Sequence, residues 1–363
     1  MPATDPHRPG PLAFTYQALP MRVVFGAGAV ASVGAEAEHL GIRRALVLCG
    51  PRQAGTASLI ADTLGTRAAG VLAEARMHVP TELAAHARDR ARELGADGCV
   101  AVGGGSPIGL GKAIAMEHGL PVIAVPTTYA GSEMTPVWGL TEGGRKRTGR
   151  DPRVLPASVV YDPELTLSLP VELSVTSGMN AVAHAVEALY APDATPIISL
   201  LAEEGVRMMA AALPVLVRSG ADLDARTLAQ YGAWLCGACL GATTMSLHHK
   251  LCHALGGTLD LPHAPTHTVV LPHALAFNQP AAPQAVAALS RALGGAGDPA
   301  HRLWQLAGEL GAPRSLRDLG MAEADIGRIV DEVVAQPYAN PVEITTDGVT
   351  RLLRTAWAGG PPA

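Results

Sequence analysis

Charge is scarce in this chain: 16% of its 363 residues are Asp, Glu, Lys or Arg, and the net charge is −5. Its lysines and arginines are scattered, so the basic footprint that a phosphate backbone demands is missing, which argues against a nucleic-acid partner. Five cysteines, an odd number in a long chain, do not make a disulfide framework. No uninterrupted apolar run reaches the roughly 18 residues that a bilayer requires, which argues against a membrane partner. The opening stretch MPATDPHRPGPLAFTY places Pro, Asp and Arg where a secretory signal needs a continuous apolar core. These absences lead us to expect a soluble cytoplasmic protein, long enough for two domains.

What is present changes texture along the chain. Apolar runs at 44–49, 98–102 and 121–125 have no polar alternation, as expected of strands buried on both faces. Between them, residues 82–94 form an amphipathic helix closed by Gly95. This is the pattern of a parallel α/β sheet, with any ligand along the edge formed by the strand ends. From Thr166 onward, long Ala/Leu/Met/His segments predict helices over 171–190, 197–219, 224–249, 279–293, 299–310 and 322–335. We therefore expect an α/β domain over 1–165 and an all-helical domain over 166–363, with a loose tail at the end.

The strand at 98–102 runs directly into Gly103-Gly104-Gly105-Ser106, and Pro107 then opens a helix containing Lys112. Glycines let a backbone approach a phosphate closely, and a helix N-terminus offers that anion free N–H groups. Alone, the turn is equally a tight strand-to-helix connection, and it is not the GxGxxG fingerprint. A second polar segment, Pro126 to Thr135, follows the next strand and carries Thr127, Thr128, Tyr129 and Ser132. Thr-Thr by itself could cap a helix. Two anion-suited turns on neighbouring strand ends point to a nucleotide site.

Most histidines are scattered, but 248–267 concentrates them. His249 and His253 are four apart and share a helix face, as do Asn180 and His184. With His263 on a following loop, these would converge on a polar pocket inside an apolar bundle. A single histidine in such surroundings is usually a core residue satisfied by a carbonyl, and His248, off the shared face, reads as structural or exposed. Cys236 and Cys239 lie in a helical run without a second CxxC, so they read as small core thiols.

Several motifs, in order, resemble the iron-containing, or type III, alcohol dehydrogenase superfamily. They are FGAG at 25–28, GGGSP at 103–107, PTTYAGSE at 126–133, GMNAVAHAVEALY at 178–190, HHKLCHALGG at 248–257, LPHA at 261–264 and LPHALAFN at 271–278. The resemblance implies a Rossmann-like dinucleotide-binding domain followed by a helical catalytic domain, an architecture like that of dehydroquinate synthase. It also implies a homodimer. The family's metal positions, one Asp and three His, fall on Asn180, His184, His249 and His263. Asn180 is a neutral amide where the anionic ligand belongs, so no tightly held metal is expected.

Within the superfamily, GGGSPIGLGKAIA, PTTYAGSEMTP and SVTSGMNAVAHAVEALYA are similar to the maleylacetate reductase branch. That similarity implies reduction of the carbon–carbon double bond of maleylacetate, a small dicarboxylate, to 3-oxoadipate by NADH or NADPH, with its chlorinated forms as further candidate substrates. Gly50-Pro51-Arg52 lacks the acidic residue that would repel a 2′-phosphate, which suits either cofactor. Gly103, Gly104, Gly105, Ser106, Thr127, Thr128, Ser132 and Lys146 are the implied cofactor contacts. His253 is the implied acid, and His184, His249 and His263 join it in the catalytic group, a protonated histidine supplying charge. Asn180, Lys250 and Tyr129 are expected at the substrate, although Lys250 reads equally as a surface lysine. A metal-dependent alcohol or polyol dehydrogenase and a non-catalytic nucleotide-binding regulator remain the alternatives.

Overall fold

The computed structural model describes residues 13–143, 145–295 and 297–363, with the side chains of Arg145 and Lys146 left out. The first half runs β1 (Arg22–Phe25), α1 (Val33–His39), β2 (Ala45–Cys49), α2 (Ala54–Leu64), β3 (Ala68–Leu72), α3 (Thr81–Glu93), β4 (Gly98–Gly103), α4 (Gly105–His118) and β5 (Val122–Pro126). A two-stranded hairpin, β6 (Val137–Glu142) and β7 (Arg145–Arg150), precedes β8 (Ser158–Tyr161). Six strands form one sheet in the order β1-β8-β5-β4-β2-β3, every pairing parallel.

The absence of polar alternation in β4 follows from the layers. Val100 and Val102 pack with Ala57 and Ile60 of α2, while Cys99 and Ala101 pack with Ala84 of α3 and Ile108 of α4. Alternate residues of one strand thus enter opposite layers, and both must be apolar. The chain goes from β2 outward to β3, then returns to the other side of β2 as β4. This reversal is the switch point at which open α/β sheets leave a crevice, here bounded by Gly50 after β2 and the glycine turn after β4.

The second half contains α5 (Val171–Leu189), α6 (Pro196–Arg218), α7 (Leu223–Ala242), α8 (Leu247–Leu259), α9 (His263–Asn278), α10 (Pro283–Ala292), α11 (Pro299–Glu309), α12 (Ile326–Val334) and α13 (Thr346–Ala358). One core gathers α5, α6, α7, α10 and α11, and a second gathers α8, α12 and α13, with α9 contributing to both. No helix among the described residues is long and apolar enough to cross a membrane.

Two expectations for the helices need correction. The single helix over 224–249 is broken, because Thr243 turns to extended backbone and carboxylates from elsewhere capture the donors that follow. Asp193 accepts from the Thr244 N–H and hydroxyl at 2.9 and 2.8 Å, and Glu187 accepts from the Ser246 and His248 N–H groups at 3.0 and 2.7 Å. His263 is not on a loop: it is the first residue of α9, a helix whose prolines at 265 and 272 disguise it. Proline in a first turn removes no intrahelical bond, so Pro265 is tolerated there.

Candidate active site

The two polar turns meet at the carboxyl edge of the sheet. Gly103 pairs with Pro126 in the β4–β5 register, and the Thr127 N–H donates to the Gly103 carbonyl at 3.1 Å. Gly103 has φ +137, and a Cβ there would stand 2.8 Å from Pro107 Cγ. A Cβ on Gly104 would meet Thr128 at 3.1 Å, whereas Gly105 faces open space. Helix α4 starts at Gly105, so the N–H groups of its first turn, including Ser106, are presented at this edge.

Lys112 locks the second turn to α4. It is fully buried, and its ammonium donates to the carbonyls of Ser132, Thr135 and Val137 at 2.7, 2.8 and 2.7 Å, with the Thr135 hydroxyl at 3.0 Å. Burial pulls its pKa down to about 7, opposed by the Glu133 carboxyl. Ser132 therefore bears on the loop's shape through its carbonyl. Lys146 pairs through its backbone with Thr141 in the hairpin, and its side chain lies outside the described residues.

The same loop reaches the helical half through Gly131, at φ +80. A Cβ there would lie 3.2 Å from both His184 Nδ1 and Gly237 Cα. Glycine is required because the positive φ and the missing side chain are both needed for this approach. The loop after β5 and the first histidine of the cluster thus pass close to one another.

Around His184 the rings gather as the spacing suggested. Asn180 stands one turn earlier on α5, His184 stacks on His249 with centroids 5.2 Å apart, and His253 is 6.2 Å from His249. His263 lies 4.3 Å from His267, whose ring is 5.1 Å from His249. Asn180, His184 and His249 are buried, while His253 and His263 are exposed, so the cluster has a dry floor and a solvent-facing rim. Asn180 Oδ1, His184 Nδ1 and His249 Nε2 are buried without a hydrogen-bond partner.

Burial, reinforced by the neighbouring His249 and His263 rings, holds the His184 pKa well below its ordinary value. The positive charge expected of the histidines therefore does not come from His184, which is a neutral ring near pH 7. Tyr129 is a second correction. Its ring is fully buried, and its hydroxyl accepts from Arg226, which also donates to Ser174 Oγ at 2.7 Å. Ser174 precedes His184 by ten residues on α5, about 15 Å along the axis, so the phenol belongs to the helical core. Lys250 rests 6.0 Å over the Tyr338 ring.

Sequence reasoning missed two features. His248, read as structural or exposed, is buried, and what went unseen is its company: its Nε2 is 2.9 Å from His267 Nδ1, with Cys252 Sγ at 3.8 Å. These three donor atoms lie within 4.8 Å of one another. Burial and the nearby Glu187 raise the Cys252 thiol well above its usual range, and burial holds both imidazoles neutral. The second is Glu187 itself, fully buried, which accepts the Nδ1–H of His249 at 2.6 Å. An acid three residues after His184 in an otherwise apolar run, VAHAVEALY, was the available signal.

Comparison with known proteins follows the same motifs. The model of the iron-containing alcohol dehydrogenases matches residues 20–163, and that of the family's C-terminal region matches 174–357. The chain belongs to the iron-containing alcohol dehydrogenase family. It is 55% identical to the maleylacetate reductase of Sphingobium indicum, over 97% of this chain and 99% of that protein. The maleylacetate reductase of Burkholderia cepacia is 54% identical over the same shares. The crystal structure of maleylacetate reductase from Agrobacterium tumefaciens superposes with a TM-score of 0.93 at 51% identity, covering 96% of this chain and 99% of that one.

The family name implies a metal, and the residues at the implied positions test it. Asn180, His184, His249 and His263 include no carboxylate. Imidazoles suit iron, but the fourth position offers a neutral amide oxygen where the family carries its one anionic ligand, so the set supplies no negative charge to offset the ion's. The set does not fit a tightly held iron.

Proposed function

We propose that this chain is a maleylacetate reductase, an oxidoreductase that transfers hydride from NADH or NADPH to the carbon–carbon double bond of maleylacetate. The observation that carries this reading is the identity above one half, over nearly the whole chain, to enzymes of that name. The nicotinamide cofactor would lie across the switch point, its pyrophosphate on Gly103, Gly104, Gly105 and Ser106 and its remaining oxygens near Thr127, Thr128 and Ser132. The contact between Gly131 and His184 then brings the reactive end of the cofactor to the histidine floor.

Hydride adds to the alkene carbon β to the ketone, and the electron pair of the double bond moves onto the ketone oxygen as an enolate. The Asn180 amide and a ring N–H of the cluster donate hydrogen bonds to that oxygen as its charge develops. His253, on the exposed rim, gives a proton to the adjacent carbon and regains one from solvent. The products are oxidised cofactor and 3-oxoadipate. The neutral Asn180 suits this substrate, since an aspartate there would repel a dicarboxylate that gains a third negative charge. The reading also makes the protein a homodimer of the cytoplasm, the dimer being open to light scattering.

The deciding experiment follows NADH and NADPH consumption with freshly generated maleylacetate and identifies the product, before and after exhaustive chelation. Formation of 3-oxoadipate that survives chelation is the expected result. Turnover of alcohols alone, lost on chelation and restored by Fe²⁺ or Zn²⁺, would replace this reading with the metal-dependent dehydrogenase.

A further inference from the structure

The buried carboxylate of Glu187 faces no lysine or arginine in any hydrogen bond or ion pair of the described residues. Its partners are the N–H groups of Ser246 and His248 at the start of α8 and the Nδ1–H of His249. One oxygen accepts from Ser246 and His249, the other from His248, so both are occupied and their directions are fixed. The start of α8 carries the positive end of the helix dipole and its unpaired N–H groups, which explains why an unshielded carboxylate is tolerated there.

We propose that Glu187 is the positioning residue of this site: it holds the Nδ1–H of His249 and so fixes Nε2 as that ring's acceptor, leaving donation to the enolate oxygen to Asn180 and the neighbouring rings. An imidazole has two nitrogens, and the bond made by one decides what the other can offer. With Nδ1 tied to a carboxylate that two backbone donors hold still, the ring is fixed where it stacks on His184. His249 Nε2 is itself buried without a protein partner, as a group reserved for a ligand would be. The arrangement also relocates the site's negative charge. Position 180 carries none, and the carboxylate stands behind His249, with the ring between it and the incoming dicarboxylate. This assignment rests on the reductase reading for its substrate and on the hydrogen bonds alone for the ring's orientation.

Two measurements test it. In full-length protein labelled with ¹⁵N-histidine and without substrate, two-bond ¹H–¹⁵N correlations report which ring nitrogen carries a proton. The His249 signals among the 13 histidines are identified by their loss in His249→Gln. A proton on Nδ1 is expected, and a bare Nδ1 would overturn the proposal. The second measurement is Glu187→Gln, whose single amide oxygen cannot accept from all three donors. Its kcat should fall about tenfold or more, the scale for losing a partner that orients a functional histidine, with KM for NADH changed less than twofold. An unchanged kcat would overturn the proposal equally. If wild-type protein did not reduce maleylacetate at all, the substrate assignment alone would fail, because the nitrogen measurement uses no substrate.

Discussion

At Gly104 a single hydrogen separates the backbone from Thr128. An added Cβ would lie 3.1 Å from both the methyl and the hydroxyl of that threonine, tighter than ordinary contact. Gly104→Val should therefore weaken NADH binding by about an order of magnitude or more while the fold persists, as a fluorescence titration would register. His253 belongs to the rim, where its ring meets solvent. Replacing it with phenylalanine keeps much of its volume but removes the proton donor, so kcat should fall roughly a hundredfold with little change in melting temperature. Near-normal turnover in His253→Phe would make this histidine structural. Both residues were legible in the sequence because their spacing encodes their placement: three glycines at a strand end, and histidines four apart on a helix. Glu187 was not, since a lone acid in a helix usually faces water, and only the tertiary fold shows α8 starting against it. Tyr129 failed for the complementary reason. A motif places a residue in a loop but does not tell which side of that loop its ring takes.

Among the elements, α4 and the loop after β5 act together only because Lys112 joins them. Lys112→Met would leave three carbonyls and a hydroxyl of residues 132–137 without their cation in a buried setting. Ser132 keeps the Thr135 N–H and hydroxyl, and Thr135 Oγ1 keeps the Val137 N–H; an orphaned buried acceptor costs about 1–3 kcal/mol, so a loss of about 2 kcal/mol or more is expected in urea unfolding. The folded fraction should also bind NADH more weakly, because the loop would lose its shape. The strands β2, β4 and β5 could be read in advance because both their faces are buried and their residues are uniformly apolar. The sheet's β1 and β3 could not: they are edge strands, partly exposed, and β3 contains a glycine. Nor could the break after α7, because the carboxylates that end one helix and begin the next come from Asp193 and Glu187, remote in sequence.

For the molecule as a whole, the buried imidazoles set an acid limit. Burial holds His248 and His267 well below the ordinary 6.5, and pulls His273 on α9 down to about 4. Below pH 6.5 the unfolded chain therefore binds protons that the folded chain refuses, so stability falls as pH falls through that window. Above it, these groups are neutral in both states and contribute no slope. Urea midpoints should stay level with respect to these histidines between pH 7 and 8 and drop steeply by pH 5, and His273→Gln should reduce the drop.

The close passage of Gly131 against Gly237 has a mechanical consequence. One glycine belongs to the sheet half and the other to α7, and a Cβ on residue 237 would stand 3.1 Å from the Gly131 Cα and from Met134 Cγ. The two halves bear on each other through bare backbone, and in the proposed reductase this bearing would set how far the nicotinamide stands from the carbon it reduces. Gly237→Ala would act as a shim, leaving each half folded and the cofactor bound but widening the gap the hydride must cross. Hydride transfer would then limit turnover, and deuterated NADH should reveal a larger isotope effect in the alanine variant than in the parent enzyme.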